Sequence, residues 1–195
     1  MNSSKAIKIV AISGSVRPNN YTSRALALVI DEIRKNPDIH LETIDPIEMN
    51  LALPGKESDQ SSALLQNIVS NATGIILATP EYHGSYSSVI KLIIENLGYP
   101  SVLSGKPVAL LGVADGQIGA VKALEHLRSV CSHIGAIVLP NPVSVSGVHK
   151  LFTEEGKCVN PEIEKRIRSV ATNLITYIRS HICPGKAFEE VVREN

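Results

Sequence analysis

The segment Ser13-Gly14-Ser15-Val16-Arg17-Pro18-Asn19-Asn20-Tyr21-Thr22-Ser23 is the part of this chain best equipped for chemistry, and the chemistry is anion binding. Glycine and small hydroxyl residues let backbone N–H groups approach an anion closely. A helix starting in the same segment adds its dipole. Arg17 can make a bidentate, charge-assisted contact with a phosphate, and Ser15, Asn20, Thr22 and Ser23 can donate further hydrogen bonds. The segment is neither a GxGxxG fingerprint nor a Walker loop, whose lysine is missing, so ATP chemistry is disfavoured. The same residues would also serve an ordinary polar loop with a capped helix.

Two further segments have related chemistry. Pro80-Glu81-Tyr82-His83-Gly84-Ser85-Tyr86-Ser87 can offer backbone polar groups to the edge of a planar ring, with Tyr82 as an apolar wall and Gly84 removing bulk. It also reads as a plain turn in which Ser87 caps the next helix. Glu81 is read as holding this loop, and His83 as offering its backbone or moving a proton. Ala114-Asp115-Gly116-Gln117-Ile118-Gly119 could meet the far side of a ring, or be a turn capped by Asp115.

The elements that must position these loops follow from hydrophobic period. Short apolar runs at 7–12, 39–44, 73–79, 106–113 and 136–139 read as strands. Between them, 23–35, 62–70, 87–97 and 117–134 have helical period, and a last helix runs over 161–180 with Pro161 in its first turn. Strands alternating with helices imply an α/β fold with a parallel sheet covered on both faces, in three layers. Ligands bind such doubly wound sheets beyond the carboxyl ends of the strands. The three loops lie there if the five parallel strands take the flavodoxin-like order 2-1-3-4-5. No linker or repeat divides residues 1–195, which read as one domain with a tail after about 184 that is loosely held.

Composition removes several classes of function. The 19 basic and 19 acidic residues balance, which argues against a nucleic-acid partner. Three cysteines without a CxxC pair form neither a disulfide framework nor a metal site, and a cytoplasmic protein is expected. The polar start has no signal-peptide core, and no apolar stretch is long enough for a membrane. Cys131 reads as inert core, and His126 and His133 as surface or packing residues. Helix 87–97 is apolar on more than one face, which makes it a candidate interface in a homodimer or homotetramer. The stretch 141–160 reads as a loop placed to cross that interface or act as a lid.

GSVR followed by TSRAL, and then PEYHGSYSSVIKLIIEN, resembles the NADPH-dependent FMN reductase family, whose members include quinone, chromate and azo-dye reductases. The resemblance covers nearly the whole chain and implies the flavodoxin-like fold. It implies that Ser15 and Arg17 bind the FMN phosphate, with Asn20, Tyr21, Thr22 and Ser23 completing that loop. Pro80, Glu81 and Tyr82 match the family's PEY segment beside the isoalloxazine, followed in register by His83, Gly84 and Ser85. His83 stands where the family has Asn, and Ser87 where it has Pro. Asp115 and Gly116 are expected on the third side of the cofactor.

The activity this implies is hydride transfer from NADPH or NADH to FMN, then electron transfer to a small-molecule acceptor by a ping-pong scheme. The flavin has the reactivity, so no catalytic side chain and no metal are expected. Backbone N–H groups of the second and third loops are the expected stabilisers of charge on the ring. The alternative is an FMN electron carrier or flavin-binding sensor that does not turn over NADPH. Zero net charge and the absence of a carrier-type phosphate loop weigh against the carrier. A phosphorylated response module would need an acidic cluster where Ser13 and Pro80 stand.

Overall fold

The computed structural model describes residues 6–57 and 60–184; the tail after 184 lies outside them. Strands β1 (Ile7–Ser13), β2 (Ile39–Ile44), β3 (Gly74–Tyr82) and β5 (Pro107–Val113) are joined by helices α1 (Tyr21–Arg34), α2 (Gln60–Asn71) and α3 (Ser88–Glu95). A short strand β4 (Ser85–Tyr86) folds back on β3. Helix α4 (Val121–His133), two short strands β6 (Ile137–Val138) and β7 (Val143–Val145), and helix α5 (Pro161–Tyr177) complete the chain. The parallel sheet runs β2-β1-β3-β5-β6, which is the expected 2-1-3-4-5 order of positions.

Side chains alternate across the sheet, as the pleat requires. Ile9, Ala11, Ile76 and Leu111 face α1 and α5, where they pack with Val29, Ile33, Ile167, Val170 and Leu174. Val10, Ile12, Ile75 and Leu77 face the other way, against Leu65, Ile90, Ile93, Leu127 and Cys131 of α2, α3 and α4. Both faces are covered, which explains why β3 and β5 are apolar almost throughout.

The fifth sheet position departs from the expected single strand over 136–139. It is occupied first by β6, beside Pro107 and Val108, and then by β7, beside Leu111, Gly112 and Val113. Between them lie Pro140 and Pro142, which lack an N–H to donate, and Asn141 with φ 59°. The stretch 141–160 is therefore tied to the sheet, with Val143, Val145, Val148 and Phe152 buried, and is not a free lid. Helix α3 spends its apolar face inside the molecule: Ile90, Ile93 and Ile94 are buried against the sheet. Large exposed apolar side chains lie elsewhere, at Tyr99, Ile118, Ile47 and Leu53.

Candidate functional site

Strand β1 ends at Ser13, and the chain turns at Gly14 under tight constraint. A Cβ on Gly14 would lie 2.5 Å from both the Ala78 carbonyl oxygen and Ile90 Cγ1. Ser87 Oγ donates to the Gly14 carbonyl at 2.6 Å and accepts from Ile90 N, so one hydroxyl caps α3 and holds the first loop to it. The glycine is thus needed for packing between loop and core as well as for an open backbone.

Several polar side chains of the first loop are occupied in building it. Ser15, buried, accepts from Arg17 N at 3.4 Å. Asn20 is the N-cap of α1: its Oδ1 accepts from Ser23 N at 2.7 Å while its Nδ2 donates to the Arg17 carbonyl at 2.8 Å. Ser23 Oγ meets Ser13 Oγ at 3.3 Å. What the loop leaves without a side-chain bond of its own among the described residues is the Arg17 guanidinium and the buried Thr22 hydroxyl, beside the first N–H groups of α1 at Tyr21 and Thr22, which have no intrahelical partner. Arg17 forms no ion pair among the described residues, and its guanidinium lies over the Tyr82 ring.

Strand β3 continues past Thr79 to Tyr82, because the second loop is a two-residue hairpin closed by Glu81↔Tyr86 and Tyr82↔Ser85 pairing. His83 and Gly84 form its tip with φ of 50° and 72°, the positive values of a type I′ turn. Glu81 Oε2 accepts from Ala123 N at 3.0 Å, supplying the side-chain cap that Ala120 does not give α4. Ser85 Oγ meets His126 Nδ1 at 3.1 Å, which anchors the hairpin to α4.

The third loop is bonded to residues 145–148. Ala114 N donates to the Val145 carbonyl at 2.9 Å, Val148 N to the Ala114 carbonyl at 3.3 Å and Gly147 N to the Gly116 carbonyl at 3.3 Å. These bonds bring His149 beside Asp115, and His149 Nδ1 shares a hydrogen bond with Asp115 Oδ1.

At the carboxyl ends of β1, β3 and β5 the three loops enclose a cleft of about 490 Å³. Of the residues singled out in the sequence, Arg17, Asn20, Tyr21, Thr22, Pro80, Glu81, Tyr82 and Asp115 line it. Ser15 and Ser23 line a neighbouring hollow behind the loop, next to Arg24 and Ile47. His83, Gly84, Ser85 and Gly116 are not brought to the cleft wall; the first three are carried to the hairpin tip near α4. Pro18 and Asn19 of the first loop line it too, and Val113, Val148 and His149 do so without having been anticipated. Val113 had a signal, as the last residue of an apolar strand. Val148 and His149 had none, since only the pairing of β7 brings them here.

The arrangement can hold a planar group with an anionic tail. One cation and the open end of α1 meet the charge, and Pro80, Tyr82, Val113 and Val148 offer apolar surface. No group of histidine, cysteine, aspartate and glutamate that could hold a metal occurs among the described residues. No helix among them is long and apolar enough to cross a membrane.

Comparison with known proteins agrees. A family model described as NADPH-dependent FMN reductase matches residues 7–150. The chain is 28% identical over 177 residues to an NAD(P)H-dependent FMN reductase of Pseudomonas aeruginosa, covering 89% of this chain and 96% of that protein. It is 24% identical over 180 residues to a 2-hydroxy-1,4-benzoquinone reductase from a Burkholderia species, covering 89% and 97%. Among solved structures, the flavoenzyme FerB of Paracoccus denitrificans, an NAD(P)H:(acceptor) oxidoreductase, superposes with a TM-score of 0.76 at 20% identity, over 90% of this chain and 98% of that one. This last likeness speaks to the fold.

Proposed function

The chain belongs to the NADPH-dependent FMN reductase family, and on that premise we propose that it is an FMN-containing oxidoreductase that oxidises NADPH or NADH and reduces a small acceptor, as a single domain over residues 1–195. The observation that carries this is the cleft. It joins Arg17, stacked on Tyr82, and a helix start to the loops at the ends of the central strands.

FMN held there would supply the redox chemistry, hydride and electron transfer between a nicotinamide and a second substrate in a ping-pong scheme. The chain's own groups bind and orient. Arg17, the Thr22 hydroxyl and the N–H groups of Tyr21 and Thr22 hold the phosphate. Ser15, Asn20 and Ser23 fix the loop that presents them. Pro80, Tyr82, Val113 and Val148 receive the ring, and Glu81 fixes the hairpin against α4. His83, Gly84 and Ser85 act through the turn that sets Tyr82. Asp115 offers its backbone N–H group to charge on the ring edge, and Gly116, off the cleft wall, acts by holding the turn through its carbonyl's bond to Gly147 N.

The acceptor is a small molecule; the names of the relatives favour a quinone or azo compound. We also propose a cytoplasmic homodimer or homotetramer, with Tyr99 and Ile118 among the side chains buried between copies. A monomeric mass by light scattering at micromolar concentration would refute that assembly.

The test is anaerobic addition of NADPH to the FMN-loaded protein while following oxidised-flavin absorbance. Bleaching at stoichiometric NADPH is expected. Bound FMN that neither NADPH nor NADH bleaches would leave the carrier or sensor reading instead.

A further inference from the structure

Reduction of a carbonyl or azo acceptor consumes a proton in addition to the hydride. For a quinone the balance is NADPH + H⁺ + quinone → NADP⁺ + hydroquinone. The hydride equivalent reaches the quinone from NADPH by way of the flavin, which ends as it began. One quinone oxygen must take the remaining proton from another source. An acceptor that takes electrons alone, such as ferricyanide, has no such need.

We propose that His149, oriented by Asp115, delivers that proton to an acceptor bound in the cleft. This rests on the flavin reductase reading above and adds a catalytic residue to it. Both side chains line the cleft, and they are hydrogen-bonded through Nδ1 and Oδ1. A carboxylate at Nδ1 fixes a proton on that nitrogen and selects the ring orientation. Among the described residues His149 makes no other hydrogen bond, so Nε2 is open. When the ring has both protons, Nε2–H donates to the acceptor oxygen. The neutral ring keeps Nδ1–H on Asp115 and regains its second proton from water, which reaches both exposed side chains.

The placement is built rather than incidental. Val148, buried, pins the turn that holds His149, and three backbone hydrogen bonds join 145–148 to 114–116. The other charged side chains facing the cleft, Glu81 and Arg17, have separate roles. Glu81 is committed to Ala123 N, and the Arg17 guanidinium is stacked on Tyr82. Lys150 follows His149 on the same turn and is exposed.

Stopped-flow reoxidation of the NADPH-reduced holoenzyme tests this, with p-benzoquinone and ferricyanide as paired acceptors. The ratio of their rates cancels general damage to the flavin site. In His149→Gln the quinone-to-ferricyanide ratio is expected to fall by about 100-fold. In the ligand-free chain, ¹⁵N imidazole spectra should show the Nδ1–H tautomer of His149, and Asp115→Ala should redistribute the proton. An unchanged ratio in His149→Gln would overturn the proposal while leaving the reductase reading intact. Native protein that NADPH does not bleach would overturn both.

Discussion

The guanidinium of Arg17 lies 4.6 Å from the centroid of the Tyr82 ring, so the first and second loops touch through a cation and an aromatic face. The contact spans the cleft wall and holds Arg17 ready, with no acidic partner among the described residues that a phosphate would have to displace. Arg17→Ala removes both the stacking and a charge-assisted bond. FMN affinity is expected to fall roughly 10- to 100-fold. Arg17→Lys should recover only part of it, because an ammonium neither forks onto phosphate nor stacks as a plane. Fluorescence titration of FMN measures both.

Gly14 tests whether the loop is set by the core. An alanine Cβ would overlap the Ala78 carbonyl oxygen and Ile90 Cγ1, of which the first is backbone of a central strand. Gly14→Ala is expected to cost about 1–3 kcal/mol, as overpacking does. For a chain of this length that lowers the melting temperature by roughly 2–4 °C per kcal/mol. The strain falls on the phosphate loop, so FMN affinity should drop with it. A melting temperature within error of the native protein would contradict the packing described.

The hairpin tip separates two causes. A Cβ on Gly84 would meet only Lys122 Cδ at 3.5 Å, which is ordinary contact, so any penalty is backbone strain at φ 72°. Gly84→Ala should cost about 1–2 kcal/mol. His83 also has positive φ, where Asn is well tolerated and β-branched residues are not. His83→Asn should leave stability unchanged or slightly raised, and His83→Val should lower it by more than Gly84→Ala. Chemical denaturation of the three variants checks this order.

That hairpin also shows what could be read from the residues alone. Apolar runs and helical periods were legible, because each reflects burial on one or two faces. The sheet order was legible only through the loop chemistry, which required β1, β3 and β5 to end together. Pro80 looked like a strand end, yet it pairs with Val113 and the strand runs on to Tyr82. Proline withholds a donor, and at the last pair of the parallel ladder to β5 that loss is small. Arg17, Thr22 and Tyr82 could be placed at the cleft because each lies on the strand-to-helix segment at the carboxyl end of β1 or β3. His149 could not, being 34 residues from Asp115 and brought there by β7, itself broken from β6 by Pro140 and Pro142.

Glu81 joins site and scaffold. Its carboxylate caps Ala123 N, at the start of a helix whose N-cap residue makes no side-chain bond. Glu81→Ala is expected to destabilise by about 0.5–2 kcal/mol. Glu81→Gln keeps an acceptor but loses the charge facing the helix dipole, and should cost about 0.3–1 kcal/mol. Urea midpoints that do not follow this order would remove Glu81 from the capping role.

Cys131 gives a pH dependence with a definite sign. It is fully buried on α4, and burial raises its thiol pKa from 9.0 to about 12. Between those values the unfolded chain has lost the thiol proton while the native chain keeps it. Unfolding then releases a proton, so stability falls as pH rises through this window and is unaffected by this group below it. The slope is up to about 1.4 kcal/mol per pH unit. Other groups titrate at alkaline pH, so the comparison is with Cys131→Ala, which lacks the thiol. The stability gap between native protein and variant should be about 1.4 kcal/mol narrower at pH 10 than at pH 8. Thiol labelling gives the kinetic counterpart: Cys158 and Cys183, both partly exposed, should react in the native state, and Cys131 only on unfolding. Labelling of Cys131 at the rate of the other two would show that α4 opens without global unfolding.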